Sequence, residues 1–206
     1  MEYSAVLATE CKIRGVYFEV LSDRMTNQAL AEIASPAVNM NIVRMDKAPR
    51  IAVYSPKNDL IQDETDAVIT VLDYAEIPYT IIYDEEILRK DALLEYDWLH
   101  LHHEDFTGQY GKFYAQFHNS AWYQNEVKDN EEMAKKLRFS KVSQLKLAVA
   151  KKINDYVFTG GFLFAMCSAT DSYDIALAAE GIDICESMFD HDPADPAMNK
   201  EIDYNK

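Results

Sequence analysis

Residues 160–174, GGFLFAMCSATDSYD, decide the reading of the fold. A helix stops at two glycines, and the apolar run FLFAM (162–166) follows without polar alternation. A short, wholly apolar run between chain breakers reads as a strand buried on both faces, as in parallel sheets. Cys167-Ser168-Ala169 then turns the chain into a further helix ending near Gly181. A small nucleophilic residue at a sharp strand-to-helix junction has the makings of a nucleophile elbow, its side chain lifted beside the N–H groups of the following helix.

The same alternation recurs upstream. IAVYS (51–55) reads as a strand, PKNDLIQD (56–63) as a loop, and residues 64–76 as a helix with Ala67, Val68, Val71, Leu72 and Ala75 on one face. Pro78 breaks that helix, YTIIY (79–83) is the next strand, and DEEILRKDALLE (84–95) is a helix with acidic residues in its dipole-favoured first turn. YDWLHLH (96–102) is the third strand. Residues 103–130 read as a long loop, and its density of aromatic residues argues against disorder. Ser140 or Ser143 is expected to cap a helix running through LKLAVAKKINDYV. Strands alternating with helices predict a three-layer αβα fold of flavodoxin-like type with a parallel sheet.

Before Pro49 the pattern differs. VYFEVL (16–21) alternates and predicts a strand, Ser22-Asp23 opens a helix to about Ala34, and residues 37–48 read as a connector. Residues 1–48 are therefore a lead-in segment, and 49–206 the α/β domain. Both ends read as cut, the first within a truncated region and the second within an incomplete domain. The stretch IDICESMFDHDPADP reads as irregular.

The 206 residues carry a formal charge of −15 and are 49% apolar, enough for a core without disulfide staples. Such acidity repels phosphate backbones, so nucleic acid is not an expected partner. Three cysteines without a CxxC pair argue against a disulfide framework and a zinc ribbon. No apolar run is long enough to span a membrane, and no signal peptide is visible.

In open parallel sheets, ligands bind beyond the carboxyl ends of the strands. That rule selects the loop after Ser55, the loop after His102 and the turn at Cys167. The second holds the cluster His100, His102, His103, Glu104, Asp105. His100 and His102 share a strand face, and the strand end releases His103, Glu104 and Asp105 into the pocket loop. These groups could supply a general base for Cys167 or ligands for a divalent metal. No HExxH spacing exists, so no metal ligand set is assigned; Asp190, His191 and Asp192 could complete a site only through folding. A packed, inert cysteine and a structural histidine network are the plain alternatives.

The segment 160–174 resembles the elbow of the class I glutamine amidotransferase-like superfamily, and is similar to its trehalose-utilisation (ThuA-like) branch. The segments RIAVYSPKN, YAEIPYTIIYDEE, YDWLHLHHEDFTGQYGKFYA and GGFLFAMCSATDSYDIALAAEGIDICESMFD resemble a bacterial family labelled asparagine synthetase B-like. Cys167 matches the elbow nucleophile. Ser168-Ala169 departs from the Gly-x-Gln that follows it in amidotransferases, and no His-x-Glu pair comes later. The chain starts Met-Glu-Tyr and has no SGGxDS-type loop, so the family name carries over without its reaction. The resemblance implies an exported or periplasmic protein, whereas the unpaired cysteines point to a reducing compartment.

The expectation is a hydrolase or amidotransferase-like enzyme with Cys167, His102, His103 and Glu104 in the catalytic role. Ser168, Asp171, Asp105 and Tyr110 are expected to contact a small-molecule substrate. A non-catalytic carbohydrate- or small-molecule-binding protein and a metal-dependent hydrolase centred on HLHHED are the alternatives. Cofactor need and oligomeric state are left open.

Overall fold

The computed structural model describes residues 2–37, 49–55, 66–111 and 113–205. The chain divides into two units, Met1–Ala48 and Pro49–Lys206. The first holds helices α1 (Glu2–Ile13) and α2 (Asp23–Ile33). Ser22 caps α2 through its hydroxyl, which accepts from the Met25 N–H at 3.5 Å. The strand expected at 16–21 is not formed; these residues have no regular structure. Tyr17 and Val20 are exposed there, and among the described residues no strand pairs with this segment.

The second unit is a three-layer αβα domain. Its strands are β1 (Ile51–Tyr54), β2 (Tyr79–Ile82), β3 (Trp98–Leu101) and β4 (Phe162–Ala165). All pair in parallel in the order β2-β1-β3-β4. The helices are α3 (Ala67–Tyr74), α4 (Asp84–Leu88), α5 (Tyr114–Phe117), α6 (Ala121–Lys136), α7 (Val142–Phe158), α8 (Ser168–Ala178), α9 (Ser187–Asp190) and α10 (Met198–Glu201). The expected helix over 84–95 is broken: α4 ends at Leu88 and a 3₁₀ turn covers Ala92–Glu95, after Asp91 takes a left-handed conformation at φ 60°. The expected loop over 103–130 contains α5 and the first part of α6. The loop over 56–63 lies outside the described residues, as does most of the 37–48 connector. Lys141, not Ser140 or Ser143, is the N-cap of α7, and it makes no side-chain capping bond. The tail expected to be irregular holds α9 and α10.

Period two along the strands sorts their side chains to two faces. Ala52, Tyr54, Leu99 and Leu101 join Leu145, Val149 and Ile153 of α7 in the main core. Ile51 and Val53 pack with Ile69 and Leu72 of α3 on the other face. On β4 that second face is exposed, Phe162 by 57% and Phe164 by 45%. Helix α7 forms because its buried residues, Val142, Leu145, Lys146, Val149, Ala150, Ile153 and Tyr156, recur at helical spacing along one stripe. Gly161 is required at the turn into β4: a Cβ there would lie 2.2 Å from the Tyr156 ring.

Candidate functional site

The carboxyl ends of β1, β3 and β4 bring the chemistry together. Just past β4, Cys167 is exposed and holds φ 54° and ψ −139°. That positive φ is a strained conformation for a residue with a Cβ. It follows from the junction: β4 stops at Ala165 and α8 starts at Ser168, so the chain turns within two residues. The bend is tied to the end of β3 by three bonds. Met166 N–H donates to the Leu101 carbonyl at 3.1 Å and Ala169 N–H to the His102 carbonyl at 3.3 Å. Ser168 Oγ donates to the His103 carbonyl at 3.0 Å. The parallel register pairs Leu101 with Ala165, the last residues of β3 and β4.

Because Ala169 N–H is engaged by His102, it is not the free oxyanion donor expected of the residues after the elbow. Ser168 N–H, at the first position of α8, is left without a protein acceptor among the described residues. Thr170 N–H and Oγ donate back to the Cys167 carbonyl at 3.3 and 2.6 Å.

His102 is buried, and its Nδ1 makes a short hydrogen bond to Oδ2 of Asp66. Asp66 is the N-cap of α3, where its Oδ1 accepts from the N–H groups of Val68 at 2.8 Å and Ile69 at 3.0 Å. One carboxylate therefore starts a helix and orients an imidazole. Burial works to raise the Asp66 pKa, but the His102 bond and the two backbone donors outweigh it and hold the carboxyl below its ordinary value. His103 is exposed and stacks on His102, the ring centroids 3.5 Å apart. Desolvation, then the neighbouring His102, lower its pKa. One donor atom each from Asp66, His102 and His103 lies within 4.8 Å of the others. The Cys167 sulfur makes no hydrogen bond to an imidazole among the described residues.

The other expected residues are placed as follows. His100 is buried against Phe164 and Trp98, and both its ring nitrogens lack a partner among the described residues. Burial, then His102, push its pKa down to about 4, so it is neutral packing. Glu104 is buried and its Oε2 accepts from His102 N–H at 2.7 Å, which fixes the peptide that carries the site. Burial pushes this carboxyl up to about 7. Asp105 spends its carboxylate on the loop, accepting from Thr107 N–H and Oγ, both at 2.6 Å, and from Gly111 N–H. Tyr110 is buried edge-on against Tyr123, and Asp171 is exposed in the first turn of α8. Asp190 and Asp192 do not reach the histidines; both pair with Lys141, at 3.0 and 2.8 Å.

Two groups of residues escaped the sequence reading. Asp66 was concealed by its distance in sequence from His102; its only signal was an Asp at a helix start. The second group is buried between the sheet and α7. Lys146, 2% exposed, reaches Asp84 Oδ2 at 2.8 Å and the Tyr54 hydroxyl at 3.1 Å, and Tyr54 donates to Asp84 Oδ1 at 2.5 Å. A lysine inside the apolar stripe of α7 was the available signal. A cavity of about 350 Å³, lined by Phe106, Lys141, Gln144, Ala176 and Ile182 among others, shares no residue with the Cys167 site.

No family model matches the chain, and no curated protein or solved structure is similar to it. Among the described residues, no helix is long and apolar enough to cross a membrane.

Proposed function

We propose that the protein is a cysteine-dependent hydrolase or acyl-transfer enzyme acting on an amide or ester. Cys167 is the nucleophile, His102 the base, and Asp66 the residue that positions His102. The observation that carries this reading is the backbone of Cys167: a strained, exposed cysteine at a strand-to-helix junction, in a turn bonded to the strand end that carries a carboxylate-anchored imidazole. Strain of this kind costs about 1–3 kcal/mol and persists where the surroundings impose it, commonly at reactive positions. Asp66 holds Nδ1 of His102, which leaves Nε2 as the basic nitrogen. The mechanism requires the exposed Cys167 thiol to come within hydrogen-bond reach of that nitrogen, directly or through one water.

The thiol proton passes to His102, and the sulfur bonds to the substrate carbonyl carbon. The oxyanion is met by the Ser168 N–H and the N-terminal dipole of α8. Collapse expels the amine or alcohol, which takes the proton from His102, and water or a second acceptor cleaves the thioester. The resemblance to class I glutamine amidotransferase-like proteins supports the same nucleophile position.

The test uses p-nitrophenyl acetate as the probe, with acyl-enzyme followed by mass spectrometry of the intact protein. Acetylation is expected on the peptide containing Cys167. It should be lost in Cys167→Ala and slowed by about 10²–10⁴ in His102→Ala. Unchanged turnover in Cys167→Ala would sink the proposal.

A further inference from the structure

We propose that Asp66, His102 and His103 form a binding site for a divalent transition metal of the zinc class, with one coordination position open to solvent. The proposal stands on the convergence of these three side chains, independently of Cys167. Two imidazoles and one carboxylate are a donor set suited to zinc, cobalt or iron in the divalent state. Donor atoms around a tetrahedral ion with bonds of about 2.1 Å stand roughly 3.4 Å apart. The three donors here already lie within 4.8 Å of one another. Binding requires the exposed His103 ring to turn out of its stack on His102, so that both lone pairs point at the ion.

The existing hydrogen bond shows where the ion would enter. Asp66 Oδ2 and His102 Nδ1 are hydrogen-bonded now; the metal takes the place of that bond, and the ring proton moves from Nδ1 to Nε2, so the imidazole binds neutral. Asp66 Oδ1 stays on the helix N–H groups and keeps the carboxylate oriented. His103 supplies the third ligand from the solvent side.

A second convergence, Asp183, Cys185 and Asp190, is filled differently. Lys141 Nζ lies 2.5 Å from Asp183 and 3.0 Å from Asp190, so an ammonium already compensates these carboxylates. The Cys185 thiol, buried and donating to the Thr107 carbonyl at 3.1 Å, is pushed up to about 12 by burial first and by Asp190 next. It is a poor metal ligand, since metals bind the thiolate.

An ion between Asp66 and His102 would withdraw the imidazole from service as a base. Metal binding and thiol activation at Cys167 therefore exclude one another at His102.

The experiment is titration of the untagged, metal-free protein with Co²⁺, read by its visible d–d absorption, with Zn²⁺ as competitor. The expected result is one equivalent of saturable signal displaced by zinc. His103→Ala, at an exposed position that leaves the fold intact by circular dichroism, should weaken binding at least about tenfold, as loss of a ligand does. Cys167→Ser should bind cobalt as the parent does, which separates this proposal from the fate of the cysteine reading. No saturable signal, a signal indifferent to His103→Ala, or a thiolate-to-cobalt charge-transfer band would overturn it.

Discussion

Lys146 shows what a single buried charge does to this domain. Its ammonium is enclosed by Asp84 and the Tyr54 hydroxyl, and all three lie in the layer between the sheet and α7. The phenol is held neutral, since burial and then Asp84 raise its pKa far above the ordinary value. Removing one partner of a buried pair leaves the other uncompensated, which costs about 3–5 kcal/mol, whereas replacing both with apolar groups is often neutral. Lys146→Met is therefore expected to lower the urea midpoint sharply. The double variant Lys146→Met/Asp84→Leu should recover most of the loss, and a double variant no better than the single would contradict the assignment. At this scale the sequence was partly legible. Cys167 stood out because a glycine pair and an apolar run isolate it. The histidines stood out by crowding. Asp66 did not, because a carboxylate that caps a helix looks the same whether or not its second oxygen holds an imidazole.

Among the elements, the buried strands and α7 were readable because burial imposes a strong period on their residues. Helix α6 was not. Its buried residues are Tyr123, Asn130 and Ala134, a sparse stripe on an otherwise charged surface, and such a helix leaves little periodicity to detect. The strand expected at 16–21 failed for the converse reason: alternation describes a face, but a strand forms only where a partner completes its hydrogen bonds. The tail, with its two short helices, is tied down by charge. Lys141, just ahead of α7, joins Asp183, Asp190 and Asp192, and Asp195 accepts from Asp183 N–H at 2.8 Å. Those carboxylates raise the Lys141 pKa, Asp183 foremost. Lys141→Ala should leave like charges facing one another and speed amide hydrogen exchange across 183–195, with α7 and the sheet unaffected. Exchange in the tail equal to the parent's would show that packing, not charge, holds it.

The stability of the whole domain carries a pH dependence set by its interior acids. Burial, then Asp105, push Glu126 up to about 7, against the pull of Lys146, and burial pushes Glu104 to a similar value. Both have an ordinary value of 4.5, so between 4.5 and about 7 the folded chain binds more protons than the unfolded one. Stability from these two groups is present below 4.5 and is lost as pH rises through that window. Asp66, with a lowered pKa, acts in the opposite sense and loses its contribution only on acidification below its ordinary 3.8. Thermal melts of the metal-free protein should therefore fall in midpoint from pH 5 toward 7, and Glu126→Gln should flatten part of that slope. An unchanged slope would show that Glu126 is solvated. The backbone of Cys167 leaves its own mark on the folding free energy. Glycine takes a φ of 54° without strain, so Cys167→Gly should raise stability by up to about 2 kcal/mol, after the greater freedom of an unfolded glycine is set against the relief. Directed selection for heat resistance would then drift toward a substitution that deletes the thiol, so a screen scored on melting temperature alone would discard the reactive group while reporting success.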